Sequence, residues 1–207
     1  MILTCGPQHD RRTLTIELPT EERLKIAVMI SGGIDSAILY YLLLQENKNM
    51  GDLHEIIPVS INRTEGSKYF SKLVVAQLQM FFNLPLESAI VVGDSTLEEK
   101  DQVRSGVLDV WRLKFNRCYI GVIEQQPEHM IGWTDPGAKE NHRLKFPLAS
   151  LNKTHIIDLV VQLNQSSLFN ITHTCNVHEI GRCGECNGCN ERRWGFEQLG
   201  LTDPGMI

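Results

Sequence analysis

The fold turns on one stretch, Ile26-Ala27-Val28-Met29-Ile30-Ser31-Gly32-Gly33-Ile34-Asp35-Ser36-Ala37. Ile26–Ile30 is a short continuous apolar run, as expected of a strand covered on both faces. It leads through Ser31–Ser36 into an apolar helix ending near Asn47. At such a strand-to-helix junction, free backbone N–H groups and the positive end of the helix dipole converge, which suits an anion. Gly32 and Gly33 remove the side chains that would keep a phosphate from the backbone, and Ser31 and Ser36 add hydroxyl donors. Asp35 can hold a magnesium ion carried by a nucleotide. The stretch is neither a lysine-bearing G-x-x-x-x-G-K-[ST] loop nor a dinucleotide G-x-G-x-x-G.

Downstream, strand and helix signals alternate. Ile56–Ile61 reads as a strand, and about Ser67–Phe82 as a helix with Phe70, Leu73, Val74, Leu78 and Phe81 at helical spacing. Ala89–Val92 reads as a third strand and Gln102–Phe115 as a helix presenting Val103, Val107, Val110 and Trp111 on one side. Tyr119–Ile123 reads as a fourth strand, and Asn152 as the N-cap of a helix over Lys153–Leu163. This alternation predicts an α/β fold, a doubly wound and mostly parallel sheet with its ligand site at the carboxyl ends of the strands. Three regions stand outside the pattern. Residues 1–25 form an N-terminal extension whose alternating Thr13–Leu18 suits a half-buried edge strand. The loop Glu124–Pro147 is long enough to suggest function. A cysteine-rich segment, 173–207, follows the nucleotide-binding region 26–172.

That last segment holds Cys175-x7-Cys183-x2-Cys186-x2-Cys189, four of the six cysteines in the chain. Two C-x-x-C units share Cys186, so neighbouring thiolates can reach one ion. Four thiolates match a closed, structural zinc site; an iron–sulfur cluster uses the same donor set. His173 and His178 are close enough in sequence to substitute, and Arg182, Arg192 and Arg193 could offset the anionic cluster. Cys5 and Cys118 read as ordinary small hydrophobes.

The chain has 207 residues, with 20 Lys+Arg against 25 Asp+Glu and a formal net charge of -5, so no bulk basic field exists to hold nucleic acid. The N-terminus meets Gly, Pro and charge before any apolar stretch, unlike a signal peptide. The longest apolar run, Ala37–Leu44, is far below a membrane span of about 20 residues. The expected location is therefore cytoplasmic, where clustered thiols favour metal chemistry.

The S-G-G-x-D-S loop resembles that of the PP-loop ATPases, a superfamily with the adenine nucleotide alpha hydrolase-like fold. Paired with the cysteine spacing, it is similar to the 7-cyano-7-deazaguanine synthase family of queuosine and deazapurine biosynthesis. Phe146-Pro-Leu-Ala-Ser-Leu-Asn-Lys153, the threonines Thr172 and Thr174 before Cys175, and Cys183-Gly-Glu-Cys-Asn-Gly-Cys-Asn-Glu-Arg192 also look like that family. The resemblance implies that Ile30, Ser31, Gly32, Gly33, Ile34, Asp35, Ser36 and Ala37 bind ATP with Mg²⁺. It further implies one structural Zn²⁺ on Cys175, Cys183, Cys186 and Cys189, and catalytic contacts from Asp35, Lys153 and Arg104.

The implied reaction joins 7-carboxy-7-deazaguanine and ammonia through an adenylated intermediate, with homodimers by analogy. Alternatives are a ligase stopping at the amide, thiolation or amidation of a tRNA base, and a nucleotide-binding zinc module without catalysis. Two departures stand out. Serine follows Arg104 where the family carries asparagine, and the 124–136 stretch is shorter and unlike the family's substrate loop. In the loop Glu124–Pro147, Trp133, Asp135 and His142 are the groups able to read a purine-like ring, whereas neither His129 nor His142 has spacing that supports acid–base catalysis.

Overall fold

The Ile26–Ile30 run is buried on both sides because its residues alternate between two cores. Ile26, Val28 and Ile30 pack into one, Ala27 and Met29 into the other, following the period-two geometry of a strand. The computed structural model describes residues 1–61, 67–124 and 139–205. Its elements are β1 (Ile2–Cys5), β2 (Arg12–Thr15), β3 (Lys25–Met29), α1 (Ile34–Asn49), β4 (Glu55–Ile61), α2 (Ser67–Phe81) and β5 (Ile90–Val92). They continue as α3 (Glu99–Arg112), β6 (Arg117–Ile120), β7 (Leu144–Lys145), α4 (Lys153–Gln162), α5 (Leu168–Ile171) and α6 (Asn187–Gln198).

β3 is the middle of a five-stranded sheet ordered β5-β4-β3-β6-β7, with every neighbouring pair parallel. α3 contributes Val107 and Val110 to the core on the Ala27 side, while α1, α2 and α4 cover the Ile26 side. Helices on both faces make this the doubly wound sheet expected from the alternation. The chain runs outward from β3 to β4 and β5, then returns to pair β6 with the other edge of β3. The carboxyl ends of β3 and β6 therefore mark the switch point at which open α/β sheets bind ligands. The Ile30–Ser36 loop lies there.

α1 is apolar on nearly all sides, and Ala37 through Leu44 are all buried. A helix of that kind needs cover all round, and α2, α4, α5, β3 and β4 supply it. Thr13–Leu18 alternates as expected, with Leu14, Ile16 and Leu18 buried. It does not join the main sheet as an edge. β2 pairs antiparallel with β1 instead, and their apolar side chains enter the core that α4 shares. In α2 the expected apolar face is shifted at its end, where Phe82 is buried and Phe81 is 53% exposed. The helix stops at Phe81, and the chain turns Phe82 inward against Tyr41, 5.4 Å between ring centres. β7 and α5 were not foreseen, since two and four residues carry no readable period.

α4 starts where Asn152 suggests. The Asn152 side chain accepts from the Thr154 and His155 backbone N–H groups, and His155 closes a reciprocal capping box. Asn152→Ala removes that acceptor beneath a buried helix start. It should lower unfolding free energy by about 1 kcal/mol, read from urea denaturation midpoints; an unchanged midpoint would show that the cap contributes nothing.

Candidate active site and metal centre

Gly33 is the N-cap of α1, so no side chain caps its first turn. The loop before it is closed by its own serines. Ser36 Oγ donates to the Gly33 carbonyl at 3.0 Å and accepts from the Ser31 N–H at 3.2 Å. Ser31 Oγ lies 3.1 Å from Ser36 Oγ and accepts from the Gly33 N–H at 3.3 Å. With the Ser36 proton on Gly33, the Ser31 hydroxyl must donate to Ser36. Gly32 is required by conformation and by space. Its φ is +86°, and a Cβ would stand 2.8 Å from Phe70 Cβ and from the Ser71 amide. Such a turn, with first-turn N–H groups left uncapped by any side chain, is an anion cradle.

Beneath the cradle lies Lys153, the first residue of α4 and only 1% exposed. Its ammonium donates to both Asp35 carboxylate oxygens at 2.6 Å and pairs with Glu191 at 3.2 Å. A lysine at the start of a helix can equally snorkel to solvent, but this one is a buried link. Burial works against the ammonium, yet the Asp35 and Glu191 carboxylates carry its pKa above the ordinary lysine value. Burial pushes the Asp35 carboxyl up, against the pull of Lys153 and with the repulsion of Glu191. Asp35 keeps a partly exposed face, 23%. One carboxylate beside a phosphate cradle is a suitable Mg²⁺ ligand set, because that ion takes few protein oxygens and the rest from phosphate and water.

The Cys175, Cys183, Cys186 and Cys189 sulfurs lie within 4.8 Å of one another, close enough to hold a metal ion together. Backbone N–H groups already point at them. His178 donates to Cys175 Sγ at 3.2 Å, Asn176 to Cys186 Sγ at 3.3 Å, and Cys186 to Cys183 Sγ at 3.2 Å. Burial would raise the Cys175 thiol, but the His178 and Cys183 N–H groups bring it down to about 6. Thiolate is the form that binds metal. Gly188 is the position that cannot change, because a Cβ there would sit 1.9 Å from the Thr174 carbonyl oxygen.

The arginines of this segment make their hydrogen bonds away from the sulfurs, although the Cys189 thiolate still acts on the Arg182 charge. Arg192, 1% exposed, makes two bonds to Asp203 at 2.8 Å and reaches Phe169 O at 2.8 Å and Thr172 Oγ1 at 3.1 Å. Arg182 joins the same carboxylate at 2.5 Å, and Arg193 bonds the Gly184 carbonyl and the Asn190 side chain. Burial favours the Asp203 acid form, but Arg192 holds the pKa below the usual carboxylate value. His173 is not aimed at the sulfurs. It stacks on Phe70 at 4.4 Å, and its backbone N–H donates to the Gly32 carbonyl at 2.9 Å.

Asp35 and Lys153 are thus brought together, while Arg104 is exposed on α3, outside the cluster. His142 is exposed and offers its carbonyl to Arg117; His129, Trp133 and Asp135 lie outside the described residues. Glu191 was missed by sequence reasoning, although it falls two positions after a cysteine ligand on a helix that the motif itself starts. Cys5 and Cys118 are fully buried, and burial pushes both thiols up to about 12. Among the described residues, no helix is long and apolar enough to cross a membrane.

Two measurements check this geometry. Cys183→Ser and Gly188→Ala should each lower bound metal per chain by elemental analysis, the second with all four thiols retained. Native content in both would remove the centre. The Asp203 pairing contributes stability that is present above the unfolded carboxylate value, roughly pH 4, and is lost as pH falls through the lower folded value. Asp203→Ala should cost about 3–5 kcal/mol at neutral pH, because it strands the Arg192 charge, and should flatten the acid limb of a denaturation-versus-pH curve.

Residues 117–200 match the family model described as Queuosine biosynthesis protein QueC. A 7-cyano-7-deazaguanine synthase of Campylobacter jejuni subsp. doylei is 24% identical over 219 aligned positions, covering 86% of this chain and 96% of the relative. The Thermoplasma volcanium 7-cyano-7-deazaguanine synthase is 38% identical over 71 residues, 34% of this chain and 29% of the relative. Among solved structures, the U34-tRNA thiolase NcsA from Methanococcus maripaludis with its [4Fe-4S] cluster aligns with 90% of this chain and 69% of its own. It does so at 16% identity and a TM-score of 0.44. The first alignment is longer than the 207-residue chain itself, so it is opened by gaps on this side. Over most of its length the chain is similar, at modest identity, to proteins named 7-cyano-7-deazaguanine synthase.

Proposed function

We propose that the protein is an ATP-dependent ligase that converts 7-carboxy-7-deazaguanine and ammonia to 7-cyano-7-deazaguanine. The observation that carries this reading is the buried Lys153–Asp35 pair, 2.6 Å apart, directly below a glycine cradle at the switch point of the sheet. The substrate carboxylate attacks the α-phosphorus of ATP, so that pyrophosphate leaves and an acyl-adenylate forms. Ammonia then displaces AMP and gives the amide with loss of a proton. A second ATP adenylates the amide oxygen and releases pyrophosphate, and departure of AMP with both amide protons leaves the nitrile.

In these steps the first-turn N–H groups of α1, with Ser31 and Ser36, hold the pyrophosphate portion where its negative charge grows. Asp35 would hold Mg²⁺, which supplies charge neutralisation at the phosphates. The cysteine centre would hold Zn²⁺ with a structural role. A tetrahedral ion with four thiolates at about 2.3 Å requires sulfurs about 3.8 Å apart, and Cys183–Cys189 and Cys186–Cys175 stand at 3.9 Å. Such a spacing serves one ion better than a four-iron cluster, in which each thiolate binds a different iron. The buried Cys5 and Cys118 thiols argue against sulfur transfer, which needs an exposed thiolate.

The test is purified protein with ATP, Mg²⁺, ammonium and 7-carboxy-7-deazaguanine, followed by mass spectrometry for AMP, pyrophosphate and nitrile. Asp35→Ala should lower turnover by at least about 100-fold with native circular dichroism. AMP release with a different carboxylic acid only would overturn the substrate and keep the chemistry. ATP binding without pyrophosphate release would instead indicate a non-catalytic module.

A further inference from the structure

Lys153 has two carboxylate partners, and they come from opposite sides of the site. Asp35 belongs to the first turn of α1, at the phosphate cradle. Glu191 belongs to α6 and approaches Nζ at 3.2 Å from the cysteine segment. One ammonium thus faces two acids at a position only 1% exposed. If Asp35 were the only partner, turning its carboxylate toward a cation carried by the nucleotide would strand a buried ammonium. That is among the most unfavourable changes a folded interior can undergo. Glu191 removes the conflict, because Lys153 keeps a counterion when Asp35 turns away.

Glu191 is also held independently of the lysine. The neighbouring Arg192 is locked to Asp203 by two 2.8 Å bonds. Gly195 lets α6 lie directly on the lysine stem, since a Cβ there would stand 2.9 Å from Lys153 Cγ. α6 is therefore a fixed platform, and of the two partly exposed carboxylates Asp35 is the one at the cradle. We infer that Glu191 is a positioning residue: it holds the Lys153 ammonium in place while Asp35 exchanges that ammonium for the divalent cation of the nucleotide. The inference rests on the reading of the cradle as a Mg²⁺·ATP site.

Calorimetric titration of ATP at a series of Mg²⁺ concentrations, with no carboxylic acid present, tests it without turnover. For Glu191→Gln, the Mg²⁺ needed for half-maximal ATP binding should rise by about tenfold, within the usual range of site coupling. Metal content of the cysteine centre should stay native. Glu191→Asp, which restores the charge, should recover most of the shift. An unchanged Mg²⁺ dependence in Glu191→Gln, with wild-type binding intact, overturns the role of Glu191 alone. So does a loss of cysteine-bound metal that accounts for the change, or a failure of Glu191→Asp to recover any of it. Absence of ATP binding by the wild-type protein overturns the nucleotide reading and this inference with it.

Discussion

A lysine ammonium out of reach of water is tolerated only where carboxylates meet it, and around Lys153 that requirement joins three distant parts of the chain. Asp35 comes from the helix after the first sheet strand, Lys153 from the start of α4, and Glu191 from the cysteine segment. None of the three helices can move away without leaving a charge unpaired in the interior. The same contact sets the polarity of the site. It puts a cation under the uncapped turn of α1 and leaves both carboxylates partly exposed, with Asp35 in that turn.

The cysteine segment is the part least able to fold by its own packing. Its stretch from Asn176 to Gly181 is exposed and includes Val177 and Ile180. Metal binding is one way to order such a segment, and docking is the other. Arg192 carries the docking, with Asp203 on one side and the Phe169 carbonyl and Thr172 hydroxyl on the other. His173 then passes the contact on to the phosphate loop through the Gly32 carbonyl and the Phe70 ring. The segment thus packs against the glycine-serine loop as well as gathering four thiols that could hold a metal.

Much of the architecture was legible because local chemistry and the fold agree. The Ile26–Ile30 run, the glycine-serine turn, the Asn152 cap and the four-cysteine spacing each have one structural solution, and that is the one found. Legibility failed where the outcome depended on a neighbour. Helical spacing put Phe81 on the apolar face, but α2 ends there and the chain beyond it buries Phe82 beside Tyr41 instead. β7 is two residues long and exists because β6 offers an open edge. Arg192 sits among three nearby arginines, and nothing local tells the one bound to Asp203 from the others.

The sequence by itself determined the doubly wound sheet, the phosphate loop and the clustered thiols, because each is written in residues close together in the chain. Tertiary structure alone decided what those pieces do to one another. A carboxylate two residues after Cys189 is unremarkable in a string of letters. It joins the Asp35–Lys153 pair only because α6 packs across α4 and brings it within 3.2 Å of the same ammonium. Electrostatic pairing depends on distance and on the exclusion of water, and both belong to the folded chain.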